Sequence, residues 1–480
     1  MGKVLGKWRN LPLQLKVSVA YVFCSILQRC LTFITMPLFT RLLTTEQYGQ
    51  FTIFSSWQGI LTIFITLNLA YGSFATAMVK YEDDRDGYLS SIQGITVFLA
   101  AVFLLVYLPF RGLWNGLFEL PTEFVCIMIA EIVAANALHV WTGKKRFEYK
   151  YVSVIAVTLF CSVACPTVAF LLVINSAERG YARILGYAMV NIAVGMVLFV
   201  WNLGRGKKFF DKKYWRFALA FNIPLLAYYL SQVVFNQSDR IMISHMVGKD
   251  KAAIYGVAYN LAMILNFVLN AVNNSYVPWF YEKLKAGKKE ENRSISLIIA
   301  CLMAVLLSGV IWFAPEIILV MAGKQYAEAV YVVPPVAVSL LLLFFSQLFI
   351  NVEFYYERKK ELVLASIGAA LVNLVLNFIF IRWFGFVAAA YTTLASYIVF
   401  AAANYAAMKR ILREKQEADN AYYYKGLILV FLVFCGVTVV GVLMYPTLPV
   451  RIVAAAAVLT GLIVKRQYFL KYYRMIRNKS

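Results

Sequence analysis

Long apolar runs alternate with short polar gaps fourteen times along this chain. The runs centre near Thr32, Ile60, Leu99, Ala130, Phe160, Val190, Leu230, Asn266, Val305, Leu342, Leu371, Leu394, Phe434 and Ala456. A helix of about 20 residues crosses the hydrocarbon core of a bilayer, about 30 Å thick. Lipid offers no partner to an open backbone amide, so runs joined by gaps this short are predicted to be helices. Fourteen of them leave room in 480 residues for loops and a short tail, but not for a separate soluble domain.

The basic residues turn this pattern into a topology. With the N-terminus in the cytoplasm, the cytoplasmic segments hold 35 of the 46 Lys and Arg and the seven opposite gaps hold 10; Arg29 alone lies inside a run. Adding or removing one span would exchange the faces of everything after it and destroy the bias. Both termini are therefore expected in the cytoplasm. The first run follows Lys3, Lys7, Arg9 and Lys16, is too long for a signal-peptide core and lacks a small-residue cleavage site, so it reads as an uncleaved first span.

Polar residues inside the runs fall in stripes. In the first, Ser18, Ser25, Gln28, Arg29, Thr32 and Thr35 share one helical face. The second is milder, with Ser55, Gln58 and Thr62. The seventh carries Asn222, Tyr229, Gln232 and Asn236, followed by Asp239 and Arg240; the eighth carries Tyr259, Asn266, Asn270 and Asn273. Single Ser, Thr or Asn residues commonly join transmembrane helices by hydrogen bonds. A mid-span cation such as Arg29 is costly in lipid and points to a cavity or substrate role. Glu131 is the one carboxylate near mid-span. It is a candidate to pair with Arg29 or to take up a coupling proton, and a structural ion pair is an equal alternative. Asp239 and Arg240 are a second possible ion pair.

Two charged gaps, at 204–216 and 409–425, divide the chain into lobes 1–205 and 206–415, of six spans each, and a segment 416–480 of two spans with a basic tail. The lobes read as weak copies. Arg41 to Gly49, with a capping box at Thr44 and Gln47, precedes the second span, and Asp239 to Gly256 precedes the eighth. The Tyr48-Gly49 and Tyr255-Gly256 pairs each open a span. Six spans per copy give a parallel repeat about an axis along the membrane normal. The four striped helices are then expected to wall a wet, amide-rich, partly cationic chamber where the lobes meet. The longest outer loop is expected from about Asp239 to Lys251.

Hydrophobic residues make up 62% of the chain, and the mean hydropathy of +0.71 agrees with a lipid solvent. A net charge of +22 raises the question of nucleic acid, but the cations sit in short loops such as Lys144-Lys145-Arg146 and in the tail from Lys465 to Lys479, as expected near anionic headgroups. All seven cysteines lie in apolar runs, and the two histidines, His139 and His245, form no cluster with them. No metal site, disulfide framework or cofactor is expected. No phosphate loop, activated nucleophile or carboxylate pair is apparent, so enzymatic chemistry is not expected.

The six-plus-six-plus-two layout, the Arg41–Gly49 and Asp239–Tyr259 segments and the Met321–Tyr326 turn resemble the polysaccharide transporters, the Wzx-type oligosaccharide flippases of the multidrug/oligosaccharidyl-lipid/polysaccharide exporter superfamily. The resemblance implies a flippase moving a polyprenyl-diphosphate-linked oligosaccharide, such as an O-antigen or capsule repeat unit, from the inner to the outer leaflet of a bacterial cytoplasmic membrane by alternating access. It implies membrane lipids and a glycan polymerase with chain-length proteins as partners. Its cavity cations would be Arg29, Arg41 and Arg240, with Gln28, Gln58, Gln232, Asn236, Asn266, Asn270 and Asn273 as further substrate contacts. The rival within the superfamily is a cation-coupled multidrug exporter, which would want cavity carboxylates. A glycan polymerase or glycosyltransferase is a weaker rival, because it would need acidic catalytic residues and a large outer loop.

Overall fold

The computed structural model describes residues 13–287, 289–416 and 421–464. The N-terminal basic residues Lys3, Lys7 and Arg9 and the tail from Lys465 lie outside them. The described residues form helices joined by short turns, with no strand among them. In chain order the α-helices are α1 (Leu13–Leu42), α2 (Thr45–Thr66), α3 (Phe74–Lys80), α4 (Arg85–Tyr107), α5 (Arg111–Phe118), α6 (Thr122–Phe147), α7 (Tyr151–Ile174), α8 (Arg179–Gly206) and α9 (Lys212–Asn222). There follow α10 (Leu226–Met246), α11 (Lys249–Lys285), α12 (Lys289–Trp312), α13 (Ala314–Met321), α14 (Val333–Tyr355), α15 (Lys359–Phe384), α16 (Ala388–Glu414), α17 (Tyr424–Leu443) and α18 (Leu448–Val464).

Every apolar run is helical, and eleven of the helical segments are long and apolar enough to cross a membrane. Thr45–Thr66, Ala388–Glu414 and Leu448–Val464 fall short of that measure of length and hydropathy. The first of these carries Gln47, Gln50, Ser55, Ser56 and Gln58, and the last has 17 residues. The seventh run is two helices, α9 and α10, joined by a 3₁₀ turn at Ile223–Leu225 whose Pro224 cannot continue the helical hydrogen bonding. Pro37, Pro166 and Pro278 sit inside α1, α7 and α11, and Pro334 and Pro335 open α14.

The gaps sort into two groups by what they touch. Lys144 Nζ, after the fourth run, reaches Asp86 Oδ1 at 2.5 Å after the second, and Lys208, after the sixth, reaches Asp84 Oδ2 at 2.5 Å. Arg358, after the tenth, pairs with Glu414 after the twelfth. In the other group, Arg179 Nη1 donates to Leu42 O at 3.1 Å, Lys249 Nζ to Glu119 O at 3.2 Å, and Arg451 Nη2 to Glu316 Oε1 at 2.8 Å. Each of these contacts joins gaps that the alternation of basic charge places on one face.

The chain forms two compact units, one extending to Ala253 and the other beginning at Ile254. In the first, Phe54, Leu61, Ile65, Tyr107, Phe118, Val125, Met128 and Ile132 form a buried cluster. A second cluster joins Leu69, Phe74, Met78, Tyr88, Leu89 and Ile92 to Tyr214 and Ala218. Helices α6 and α8 approach so closely that a β-carbon on Gly195 would lie 2.3 Å from Ala134 O, the small-residue contact that substitutes for hydrophobic drive between helices in lipid. The seventh span falls within this unit. Tyr214 OH donates to Asp84 Oδ2 at 2.6 Å, Trp215 Nε1 to Ser91 O at 3.0 Å, and Asn222 Nδ2 to Ser73 Oγ at 2.8 Å. Compaction divides the chain between Ala253 and Ile254; the division into 1–205, 206–415 and 416–480 is an expectation from repeated sequence.

In the second unit α14 is the most enclosed candidate span, with 83% of its apolar window buried, because it is apolar on all faces through Leu340–Phe345. It packs on α12 and α16. The two C-terminal helices are held by Arg451, 1% exposed, whose guanidinium makes a two-pronged bond to Glu316 and also donates to Trp312 O at 2.6 Å.

Candidate functional site

Two hydroxyls of the α1 stripe turn onto the helix itself. Thr32 Oγ1 donates to Gln28 O at 3.0 Å, and Thr35 Oγ1 to Thr32 O at 2.9 Å. Gln28 is half-buried, while Arg29, near the middle of the helix, and Arg41, in its last turn, are exposed. Cys24, on the adjoining strip of the helix, is buried against Thr158 of α7.

Glu131 is 6% exposed and takes carboxamide partners. Asn191 Nδ2 of α8 donates to its Oε1 at 2.7 Å, and Gln58 of α2 also hydrogen-bonds it. Asn191 in turn accepts from Cys165 Sγ at 3.3 Å. The pairing of Glu131 with Arg29 that the sequence raised is therefore replaced by amide bonds, and Gln58 is drawn to this carboxylate. Asn191, which no stripe marked out, is the residue that sequence reasoning missed here. Asn136, one turn along α6, donates to Thr96 at 2.9 Å and serves helix packing.

On α10, Gln232 and Asn236 are half-buried, and Asn236 Nδ2 donates to Gln232 O at 2.7 Å. Asp239 and Arg240 are 1% and 9% exposed, and Arg240 Nη1 donates to Gln237 Oε1 at 2.8 Å. These burials correct the expected outer loop. Helix α10 continues through Asp239 and Arg240 to Met246 and α11 starts at Lys249, so the charges that read as loop are packed helical positions.

In the second unit the carboxamides of α11 meet partners on α14. Asn270 Nδ2 donates to Asn266 Oδ1 at 3.3 Å, and Gln347 Nε2 donates to Asn270 Oδ1 at 3.4 Å. One turn further, Asn351 Nδ2 donates to Asn273 Oδ1 at 3.0 Å. The three expected asparagines thus form one row with Gln347 and Asn351, which the sequence reading passed over. Their four-residue spacing, which places them on one helical face, was the available signal. Asn266 and Asn273 are half-buried, and Asn270 is exposed.

One buried cation was also missed. Arg183 of α8, 5% exposed, lies over the rings of Phe39, Tyr48 and Phe51 at 4.4, 4.4 and 3.8 Å. Each such contact supplies cation–π attraction that grows with desolvation, and it ties the end of α1 and the start of α2 to α8. No group of three or more His, Cys, Asp or Glu able to hold a metal occurs among the described residues. The exposed and half-buried faces present carboxamides and, at Arg29 and Arg41, guanidinium groups.

Known proteins share the sequence family and the fold. A family model described as "Polysaccharide biosynthesis protein" matches residues 15–284, more than half of the chain, and a second, MatE, matches residues 224–379. The chain is 23% identical over 370 residues to "Lsg locus putative protein 1" of Haemophilus influenzae, which spans 74% of this chain and 88% of that protein. The solved structure of lipid II flippase MurJ in an inward closed conformation superposes with a TM-score of 0.70 at 14% identity, covering 95% of this chain and 100% of that one. An inward-facing multidrug resistance MATE family transporter gives 0.64 at 12% identity, over 82% and 96%. These two structural likenesses establish the fold, while the match over residues 15–284 establishes the family. The chain belongs to the polysaccharide biosynthesis protein family.

Proposed function

We propose that this protein is a flippase. It carries a polyprenyl-diphosphate-linked oligosaccharide from the inner to the outer leaflet of a bacterial cytoplasmic membrane, opening to each side in turn, with both termini cytoplasmic. The carboxamide row of Asn266, Asn270, Gln347, Asn273 and Asn351 carries this reading. A glycan crossing the membrane loses water's hydrogen bonds at many hydroxyls, and each buried polar group left unpaired costs about 1–3 kcal/mol. Carboxamides both donate and accept, so they suit a ring of hydroxyls better than charged groups do. Arg29, Arg41 and Arg240 are the cations offered to the diphosphate, because a guanidinium fork matches phosphate oxygens with two parallel hydrogen bonds.

The direction follows from charge. Moving a negative charge outward across an inside-negative membrane is downhill by about 2.3 kcal/mol per 100 mV. Membership in a polysaccharide biosynthesis family supports a glycan cargo, and O-antigen or capsule assembly, with a polymerase and chain-length proteins downstream, is the setting that cargo implies. The MatE match over residues 224–379 favours a second reading, a cation-coupled multidrug exporter. That reading requires acidic side chains facing the cargo, whereas the row on α11 and α14 is uncharged.

Complementation of a flippase-null strain tests the proposal. Arg29→Ala is expected to abolish surface polysaccharide at unchanged membrane abundance, and Arg29→Lys to restore part of it. Full complementation by Arg29→Ala would remove Arg29 from the substrate path.

A further inference from the structure

Glu353 stands in the last turn of α14, 1% exposed, and among the described residues neither of its carboxylate oxygens has a hydrogen-bond donor. The corner after α14 is tight. Arg358 N–H donates to Glu353 O at 2.8 Å, and Glu357 adopts a left-handed φ of 58°. This brings Glu361, in the first turn of α15, close enough to act on Glu353 electrostatically, and Glu361 Oε2 is likewise buried without a donor.

The described cations around this corner are engaged elsewhere or exposed. Arg358 binds Glu414, which Arg410 Nε also reaches at 3.1 Å. Lys283 of α11 pairs with Glu291 at 2.8 Å. Lys409 lies over Tyr405 and Tyr424, Lys415 lies over Tyr356, and Lys360 is exposed. Tyr355 packs on Tyr281 of α11 at 5.4 Å between ring centres, which adds to the apolar enclosure. Two carboxylates in such a place are not both stable as anions; one positive charge taken up between them relieves the repulsion and the desolvation together.

We propose that Glu353 and Glu361 form a site for one exchangeable monocation, a proton or an alkali-metal ion, drawn from the aqueous phase at the α14–α15 corner. Both sources offer the same chemistry, a compact positive charge bound by carboxylate oxygen. Asn351, two residues before Glu353, holds Asn273, so loading or emptying the site acts on the helix segment that bears the carboxamide row. That coupling role rests on the transporter reading above; the site itself does not.

The test uses the purified full-length chain, followed by infrared difference spectroscopy of its carboxyl groups. A proton site shows a protonated-carboxyl band that disappears as pH rises and is indifferent to sodium or potassium chloride. An alkali-ion site shows the band displaced by one of those salts at constant pH. Either signal should vanish in Glu353→Gln, and Glu361→Gln, by removing the repulsion, should weaken binding of the proton or ion at least tenfold. If Glu353→Gln does not fold, the Glu361→Gln shift decides. A wild-type protein with neither signal, a signal retained in folded Glu353→Gln, or an unshifted Glu361→Gln overturns the proposal. In vesicles, an imposed pH or sodium gradient should accelerate flipping by the wild type and not by Glu353→Gln; equal acceleration overturns the coupling role. A site that titrates in a protein without flipping activity would refute the flippase reading and leave the site standing.

Discussion

Ser244 donates its hydroxyl to the Glu119 carboxylate, joining the last turn of α10 to the corner between α5 and α6. His245 reinforces the joint, with Nδ1 3.3 Å from Glu119 Oε1 and Nε2 2.9 Å from Leu117 O, and Lys249 Nζ donates to the Glu119 carbonyl at 3.2 Å. Glu119 is held in a left-handed conformation (φ 53°), an unfavourable state for a side chain with a β-carbon that its surroundings must offset. Hydrogen bonds to a charged group contribute about 1.5–3 kcal/mol. Glu119→Ala is therefore expected to raise amide hydrogen exchange across residues 240–250 about tenfold or more. Unchanged exchange there would mean that the joint bears no load.

Gly49 tests the same end of the molecule from the helix side. A β-carbon there would stand 2.2 Å from the Lys249 carbonyl oxygen, a backbone atom that cannot swing aside. Gly49→Ala must push the start of α2 away from the start of α11, at a cost of about 1–3 kcal/mol, the usual range for overpacking. Thermal unfolding in detergent should show a lower midpoint for Gly49→Ala than for the wild type. An equal midpoint would mean that the contact gives way without strain.

The capping box at the start of α2 was legible because it is local. Thr44 N–H donates to Gln47 Oε1 and Gln47 N–H to Thr44 Oγ1, both at 3.2 Å. The grouping of loops by face was legible for a similar reason, since each gap's charge is written within the gap. The partners of Glu131 were not, because periodicity in α6 cannot say that Asn191 of α8 will lie opposite. The same holds for Arg183, whose aromatic cage comes from α1 and α2. Asp239 and Arg240 misled because charge in a sequence reads as exposure, while both are buried in α10.

The bond from Arg451 to Glu316 makes a prediction about α17 and α18. Removing one member of a buried ion pair strands the other, at a cost of about 3–5 kcal/mol. Arg451 is 1% exposed and the Glu316 side chain 35%, so the lower end applies, about 3 kcal/mol for Glu316→Gln. Replacing both residues with Met should recover much of the loss. A double variant no more stable than Glu316→Gln would contradict this account.

Acid should loosen the corner between α6 and α7. Burial alone would raise the Glu148 carboxyl, but hydrogen bonds from Lys150 and Lys144 and the charges of Lys144 and Lys145 outweigh it and hold the group at about 2. Because the folded value is depressed, the stabilisation is complete above the ordinary glutamate value of about 4.3 and is lost as pH falls from there toward 2. Thermal midpoints measured down that range should fall more for the wild type than for Glu148→Gln. Parallel curves would contradict the assignment.

Reconstitution in vesicles measures flipping itself. Purified protein in vesicles holding a fluorescent polyprenyl-diphosphate oligosaccharide in the inner leaflet should deliver it to a lectin outside, and Arg29→Ala should not. Delivery at the rate of protein-free vesicles, together with active export of a cationic dye, would contradict the account and favour the multidrug reading.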